Sequence, residues 1–380
     1  MIYLDNAATT KPFKASVDAV QKYMNFYYNP SAAYSLAIEA EKYLEQGRRT
    51  IAQQLNALPS EVYFTSGGTE CNNLAVMGTL LAKSGGRTWH FITSEVEHAA
   101  VYDQFVRLEE MGQEVTYLPV ESDGSVDVHT LMGAIRPNTA LVSIMQVNNE
   151  LGSINDINML ARAVKSINPK VLFHSDGVQA FGKAVVPGHD VDLYSTSAHK
   201  MHGPKGVGAL VVRNGVKLQP LNIGGGQEGG LRSGTENLAG IMGFAAAVEE
   251  YTADPTRIAR LYACKKHLAR ELLKIEGAQI NGPSVEKGAP HVLSVSFSGA
   301  LAEMLLHMLE EKQVYVGTGS ACSSKKRKIN RILQAIRLDR ERAEGTIRFS
   351  LGTENTIEQM QIAAQHVKMC VDRIRKLRRK

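Results

Sequence analysis

Two residues carry the strongest chemical signal in this chain. Lys200 stands in Ser197-Ala-His-Lys-Met-His-Gly-Pro-Lys-Gly206, after the strand-like run 192–198 and before a Gly-Pro-Lys-Gly turn. Asp176 lies 24 residues upstream, closing a second strand-like run that starts at Val171. A lysine so placed can form an imine with a carbonyl compound, and an aspartate at a neighbouring strand end can keep a pyridinium nitrogen protonated. Together they supply what pyridoxal phosphate requires of a protein.

Other chemistry-bearing residues also follow strand-like runs. Ser66-Gly-Gly-Thr-Glu70 leads from a strand into a helix, where glycine backbone and free helix N–H groups suit a phosphate, although the same turn also serves ordinary strand-to-helix connections. His98, in Thr93-Ser-Glu-Val-Glu-His98, suits stacking on an aromatic ring and moving protons. Asn149, in Val147-Asn-Asn-Glu150, could reach a substrate carboxylate or a cofactor hydroxyl, and Gln179 a ring hydroxyl. Arg348, in a later strand, has the forked geometry that grips an α-carboxylate.

Cys322 sits among small residues and is followed by Lys325-Lys-Arg-Lys328, which favours its thiolate. Cys71 and Cys264 fall in apolar helical runs and read as inert, while Cys370 is undecided. The four cysteines show no C-x-x-C spacing, so neither a zinc site nor a disulfide framework is expected, and no metal is assigned.

The elements that position these groups follow from periodicity. Strand-like runs at 62–65, 90–93, 115–118, 140–145, 171–173, 193–195 and 208–212 alternate with helical stretches such as 75–81, 101–111 and 157–167. The alternation predicts an α/β unit with a mostly parallel buried sheet whose carboxyl strand ends bind ligand. A helical stretch runs from Thr235 toward Lys274, broken at Asp254-Pro255, a candidate hinge. Strands at 292–297, 314–316 and 347–351, helical runs 301–311 and 328–337, and a last helix from Ile357 then make a smaller α+β unit.

At 380 residues the chain is long enough for two packed units, and 44% hydrophobic with 21% charged residues is the balance of a soluble fold. A net charge of +5 is too small to argue for nucleic acid, and the basic run 373–380 reads as a solvated helix end. No apolar run reaches the roughly 18 residues of a membrane helix, and the N-terminus lacks a basic segment followed by an apolar one. A cytoplasmic protein without membrane or direct nucleic-acid contact is expected.

Taken in order, these motifs resemble the cysteine desulfurases of the NifS/IscS type, class V aminotransferase-like members of fold-type I pyridoxal phosphate enzymes. The resemblance spans Tyr3-Leu-Asp-Asn-Ala-Ala-Thr-Thr10 to Ile347-Arg-Phe-Ser-Leu-Gly352 and includes Gly224-Gly-Gly-Gln-Glu228, Arg232-Ser-Gly-Thr235 and Gly319-Ser-Ala-Cys-Ser323. It implies a large domain, 14–254, with a mostly parallel seven-stranded sheet, and a smaller domain of 1–13 and 255–380 that carries the catalytic cysteine loop.

The resemblance further implies site roles. Lys200 is the Schiff-base lysine; Asp176 pairs with the ring nitrogen; Gln179 meets the ring oxygen; His98 stacks and acts as acid–base. Gly68, Thr69, Ser197 and His199 hold the phosphate, with Thr235 reaching the site of a homodimer partner. Arg348 and Asn149 bind the carboxylate of L-cysteine, and Cys322 accepts sulfur for transfer to an acceptor protein. The Gly-Ser-Ala-Cys context is similar to the group I branch. Tyr34 and Ala37 depart from the histidine and glycine usual after Asn29-Pro-Ser31, and the chain ends soon after its last predicted helix, without the extended tail of housekeeping members. Selenocysteine lyase, another class V reaction, and a sulfur carrier with a decayed site remain alternatives; the intact Lys200, Asp176, His98 and Cys322 argue against decay.

Overall fold

The computed structural model describes residues 1–83, 86–318 and 330–378. Its strands are β1 (Ile2–Tyr3), β2 (Val62–Thr65), β3 (His90–Ser94), β4 (Glu114–Leu118), β5 (Thr139–Ser143), β6 (Leu172–Asp176), β7 (Leu193–Ser197), β8 (Gly208–Val212), β9 (Ala278–Asn281), β10 (Val292–Phe297), β11 (Val314–Tyr315) and β12 (Thr346–Ser350). Its α-helices are α1 (Lys14–Met24), α2 (Ser35–Gln54), α3 (Gly68–Ala82), α4 (Ala99–Glu110), α5 (Val128–Ala134), α6 (Ile157–Ile167), α7 (Leu238–Thr252), α8 (Arg257–Leu272), α9 (Ala302–Glu310), α10 (Arg331–Ala335), α11 (Arg340–Glu344) and α12 (Ile357–Arg378).

Seven strands form one sheet in the order β2-β8-β7-β6-β5-β3-β4. Neighbours from β4 to β7 run parallel, and β8 is antiparallel to both β7 and β2. Reversing twice leaves β2 parallel to β7, so the carboxyl ends of β2, β3, β5, β6 and β7 share one edge.

Burial on both faces explains why central strands such as β5 and β8 carry apolar side chains at successive positions. Ile92, Val142, Tyr194 and Val211 point into a core shared with α2, α6 and α7. Their neighbours Phe91, Leu141, Leu193 and Leu210 point into the opposite core, shared with α3 and α4. Each helix joins its core through a stripe at helical spacing: α6 buries Ile157, Leu160, Ala161 and Val164, and Asp156 starts it by accepting from the Met159 N–H at 3.0 Å.

A separate core lies around a three-stranded antiparallel sheet, β12-β10-β9, and the parallel pair β1–β11, covered by α8, α9 and α12. The first residues belong to this second core: Leu4 is fully buried there, and Asp5 bridges to Ser350.

The sequence-predicted helix from Thr235 begins at Leu238, because Asn237 accepts from the Gly240 N–H at 3.0 Å and starts the helix there. Its break is real: α7 ends at Thr252 and α8 starts at Arg257, with Asp254 accepting from the Thr256 N–H at 3.0 Å. The predicted run 328–337 is shorter; α10 starts at Arg331 behind the cap of Asn330, and residues 328 and 329 lie outside the described residues.

Candidate active site

The shared edge of carboxyl strand ends collects most of the residues singled out in the sequence. Asp176 closes β6 and is 4% exposed. Its Oδ2 accepts from Asn72 Nδ2 at 2.8 Å and its Oδ1 from the Val178 N–H at 2.9 Å. Two donors hold the carboxylate in one orientation. Asn72 was not among the sequence candidates; it lies one helical turn beyond Gly68 on the same face of α3, the spacing that could have revealed it. Gly177, next to Asp176, cannot carry a side chain, because a Cβ there would overlap the ring of Tyr194, whose hydroxyl donates to Gln146 Oε1 at 2.6 Å.

Lys200 ends the 3₁₀ turn Ala198–Lys200 that follows β7. Its amine donates to the carbonyls of Ala7 and, at 2.8 Å, of Ala8. Burial, then the nearby Arg348 cation, push its pKa down to about 8, against the opposing pull of Asp176 and Asp5. Lys183, another residue without a motif, donates to the Lys200 carbonyl at 2.8 Å and is itself pushed down to about 7, by burial and then by Lys200. Gln179 donates to the Ala7 carbonyl at 2.9 Å.

Gly67 and Gly68 open α3 beside Ser197. Gly67 has φ +148°, a region that L-residues avoid, and a Cβ on it would sit 3.6 Å from Ser197 Oγ. The Ser66 and Gly67 N–H groups are taken, by Glu70 Oε2 at 2.6 Å and Thr65 Oγ1 at 3.2 Å, which leaves those of Gly68 and Thr69 for a ligand at the helix N-terminus, beside the exposed Ser66 and Thr69 side chains. His199 meets Thr9 Oγ1 at 3.2 Å, and burial, then Lys200, Lys205 and Lys183, lower its pKa to about 4, so it is neutral.

His98 caps α4: its Nδ1 accepts from the Ala100 N–H at 3.1 Å, which leaves Nε2 free. Arg348, 7% exposed on β12, donates to Asp5 Oδ1 at 2.7 Å and to the Asn149 carbonyl at 3.1 Å. Its Nε and the Asn149 Oδ1 are buried without a hydrogen-bond partner. Thr235 is exposed on the segment between the Asn222–Arg232 bridge and α7.

Cys322 and the basic run 325–328 lie outside the described residues. The residues flanking 319–329 are placed. Gly317 exchanges backbone hydrogen bonds with Arg348, 3.0 and 2.7 Å long. On the other side, Asn330 donates to the Glu150 carboxylate, and Arg331 donates to the carbonyls of Glu95 and Glu97 and lies 3.7 Å from the Tyr102 ring centroid.

The aminotransferase class-V family model matches residues 2–362. The chain belongs to the class-V aminotransferase family. It is 40% identical over 379 residues to a protein named cysteine desulfurase IscS from Dictyoglomus turgidum, covering 98% of this chain and 95% of that protein. A solved structure of a NifS-like protein superposes with a TM-score of 0.91 at 35% identity, covering 98% and 99% of the two chains. The structure of SspA in complex with cysteine superposes with a TM-score of 0.82 at 32% identity, covering 94% of this chain and 100% of that one.

Class V enzymes of this type depend on pyridoxal 5′-phosphate, and the residues present fit it. An amine with a depressed pKa, a doubly held carboxylate, a glycine turn at a helix N-terminus, and the unpaired Nε of Arg348 match an aldehyde, a ring nitrogen, a phosphate and an amino-acid carboxylate, while the unpaired Asn149 Oδ1 suits a donor.

Proposed function

We propose that Cys322 is the sulfur-accepting nucleophile of this chain, a pyridoxal 5′-phosphate-dependent cysteine desulfurase. The overall change is L-cysteine plus enzyme thiol to L-alanine plus enzyme persulfide. One C–S bond breaks, one S–S bond forms, and a proton ends on the alanine carbon skeleton, so no outside oxidant is needed. The observation that carries the reading is a contrast among thiols. Cys71, Cys264 and Cys370 are 0%, 5% and 3% exposed, and burial pushes each pKa up, that of Cys71 to about 12. The residues flanking 319–329, by contrast, attach at Arg348 and at the turn before His98.

The cofactor, when bound, supplies an electron sink for the substrate α-carbon. The protein does the rest. Asp176, fixed by Asn72 and Val178, faces the ring nitrogen, and Gln179 the ring oxygen. Gly68, Thr69, Ser197 and neutral His199 hold the phosphate by hydrogen bonds, joined by Thr235 from the second subunit of a homodimer. Arg348 and Asn149 hold the substrate carboxylate. Lys200, with its pKa near neutrality, takes and returns a proton readily. His98 keeps Nε2 free for a second proton transfer.

In this reading residues 14–254 form the cofactor-binding domain, and 1–13 with 255–380 the domain carrying Cys322. Among the described residues no helix is long and apolar enough to cross a membrane. The same reading has the chain act in the cytoplasm on an acceptor protein. L-Cysteine is favoured over selenocysteine by the cysteine-bound neighbour.

The test is to supply L-cysteine and measure alanine together with protein persulfide. Wild type should yield both. Cys322→Ala should keep cofactor absorbance and cysteine binding but form no persulfide. Persulfide mapped to Cys370, or undiminished in the variant, contradicts the reading.

A further inference from the structure

His291 precedes β10, is 2% exposed, and has no place in the roles above. Its Nε2 lies 3.2 Å from Gln179 Oε1. The atoms on both sides of Gln179 determine who donates to whom. The Ala7 carbonyl only accepts, so the Gln179 amide nitrogen must face it. The Gln179 oxygen therefore faces His291, and His291 must carry its hydrogen on Nε2. Burial, and then the positive charges of Lys183, Lys265, Lys200 and Arg348, hold its pKa well below the ordinary histidine value, so the imidazole is neutral. Its Nδ1 is then a bare acceptor, and it has no hydrogen-bond partner.

We propose that His291 is a positioning residue that fixes the orientation of the Gln179 amide and so keeps an N–H donor turned toward the cofactor ring oxygen. The proposal rests on the reading that Gln179 meets that oxygen. A glutamine amide is nearly symmetric in shape, so packing alone does not choose between its two orientations. Reversal would set its oxygen against the Ala7 oxygen. It would also turn the Nε2–H of His291 toward an amide N–H. The nitrogen end lies on the Lys200 side, since Lys200 and Gln179 share the Ala7 acceptor. One of its two hydrogens is used on Ala7, and the second remains for the cofactor. The role is conveyed through a hydrogen bond, because a neutral imidazole adds no net charge to the site.

The test uses the pyridoxal phosphate-loaded protein and follows the pH midpoint at which its visible absorbance band converts. An N–H donor favours an anionic oxygen, so losing it raises the midpoint. His291→Phe, which keeps the ring and removes the donor, should raise the midpoint by about half to one pH unit, the worth of one hydrogen bond. His291→Gln, whose amide reaches about as far as Nε2, should restore it. In a Gln179→Leu background, His291→Phe should add no further shift. Should the Phe variant not fold, His291→Leu carries the same expectation. An unchanged midpoint in His291→Phe, with Gln179→Leu shifting it, overturns the role of His291 alone. An equal shift with and without Gln179 also overturns it. No shift in Gln179→Leu removes the underlying reading of Gln179 together with the proposal.

Discussion

Lys200 and Gln179 donate to the same acceptor, the carbonyl oxygen of Ala7. The two side chains proposed to meet the cofactor's aldehyde and its ring oxygen are thus aligned by a backbone atom of the N-terminal segment. Ala7 is itself held, its N–H donating to Ser350 Oγ at 2.8 Å. A backbone carbonyl leaves no mark on a sequence motif, and this relationship shows only in three dimensions.

The depressed pKa of Lys200 fixes how cofactor uptake depends on pH. Only the neutral amine attacks an aldehyde, so its fraction sets the rate. With a pKa of about 8, uptake by cofactor-free protein should rise about tenfold per pH unit below that value and level off above it. Stopped-flow absorbance after mixing with pyridoxal phosphate measures this. A rate still climbing tenfold per unit past pH 9 would mean that the amine keeps an ordinary lysine pKa. Lys200→Ala should lose both the absorbance and alanine formation.

Asn72 should matter as a holder of Asp176. Asn72→Leu removes one of two donors to a buried carboxylate, an interaction worth about 1.5–3 kcal/mol. Cofactor affinity, measured by equilibrium fluorescence, should fall roughly tenfold or more while far-ultraviolet dichroism stays unchanged. Unaltered affinity would mean that Val178 alone suffices to orient Asp176.

Glu97 gives a pH-dependent stability. Its carboxylate is fully buried and accepts from Ser94 Oγ at 2.6 Å, yet burial pushes its pKa from 4.5 up to about 8. Between these values the folded protein holds a proton that the unfolded chain has lost. Stability therefore falls as pH rises across that window, by at most about 1.4 kcal/mol per unit. Glu97→Gln lacks this slope. Urea unfolding should show the variant gaining on wild type from about pH 5 to pH 8, by a few kcal/mol in all, and no further gain above that. Parallel stability curves would show that Glu97 titrates normally.

Glu228 ties three distant segments. It accepts from Arg48 at 2.8 Å through both oxygens and from the Phe64 N–H at 2.7 Å. Its side chain is 2% exposed and that of Arg48 11%, so removing Glu228 leaves the buried guanidinium only the more exposed Glu45 at 2.8 Å, and removing Arg48 strands the buried Glu228 charge. Glu228→Gln should destabilise by about 3–5 kcal/mol, and Arg48→Met with Glu228→Met together by much less. Equal losses in the single and double variants would point to packing rather than charge.

The central strands of the large sheet were legible because each is a short run buried on both faces, and edge strand β4, only partly buried, by its Val115-Thr-Tyr-Leu118 composition. The ends were not: the run 140–145 is regular strand only as far as Ser143, although the Ile144 and Gln146 N–H groups still donate to the β6 carbonyls of His174 and Asp176. Residues 14–54 gave no assignment, although they form α1 and α2; their charges and tyrosines blur the helical period, and α2 is fixed by packing on α7 and by the Arg48–Glu228 pair. In the site, Lys200, Asp176 and His98 were readable as side chains at strand ends. Lys183 and His291 were not, because their roles are to contact other site residues, a relation that has no fixed spacing along the chain; Asn72 was marked only by its one-turn spacing from Gly68.

The pairing of the N-terminal segment also sets an order of events during synthesis. β1 lies beside Val314–Tyr315, and Asn6 and Ala7 lean on Ser350, so residues that leave the ribosome early wait for partners made near the end. The large sheet, complete by Val212, has its strands long before then. Thr10 and Phe13 can tie this segment to His199 and His202 early, but the hydroxyl that holds the Ala7 N–H arrives only with β12. A nascent protein stalled before Ser350 would present an ordered sheet in which the acceptor shared by Lys200 and Gln179 lacks that last support.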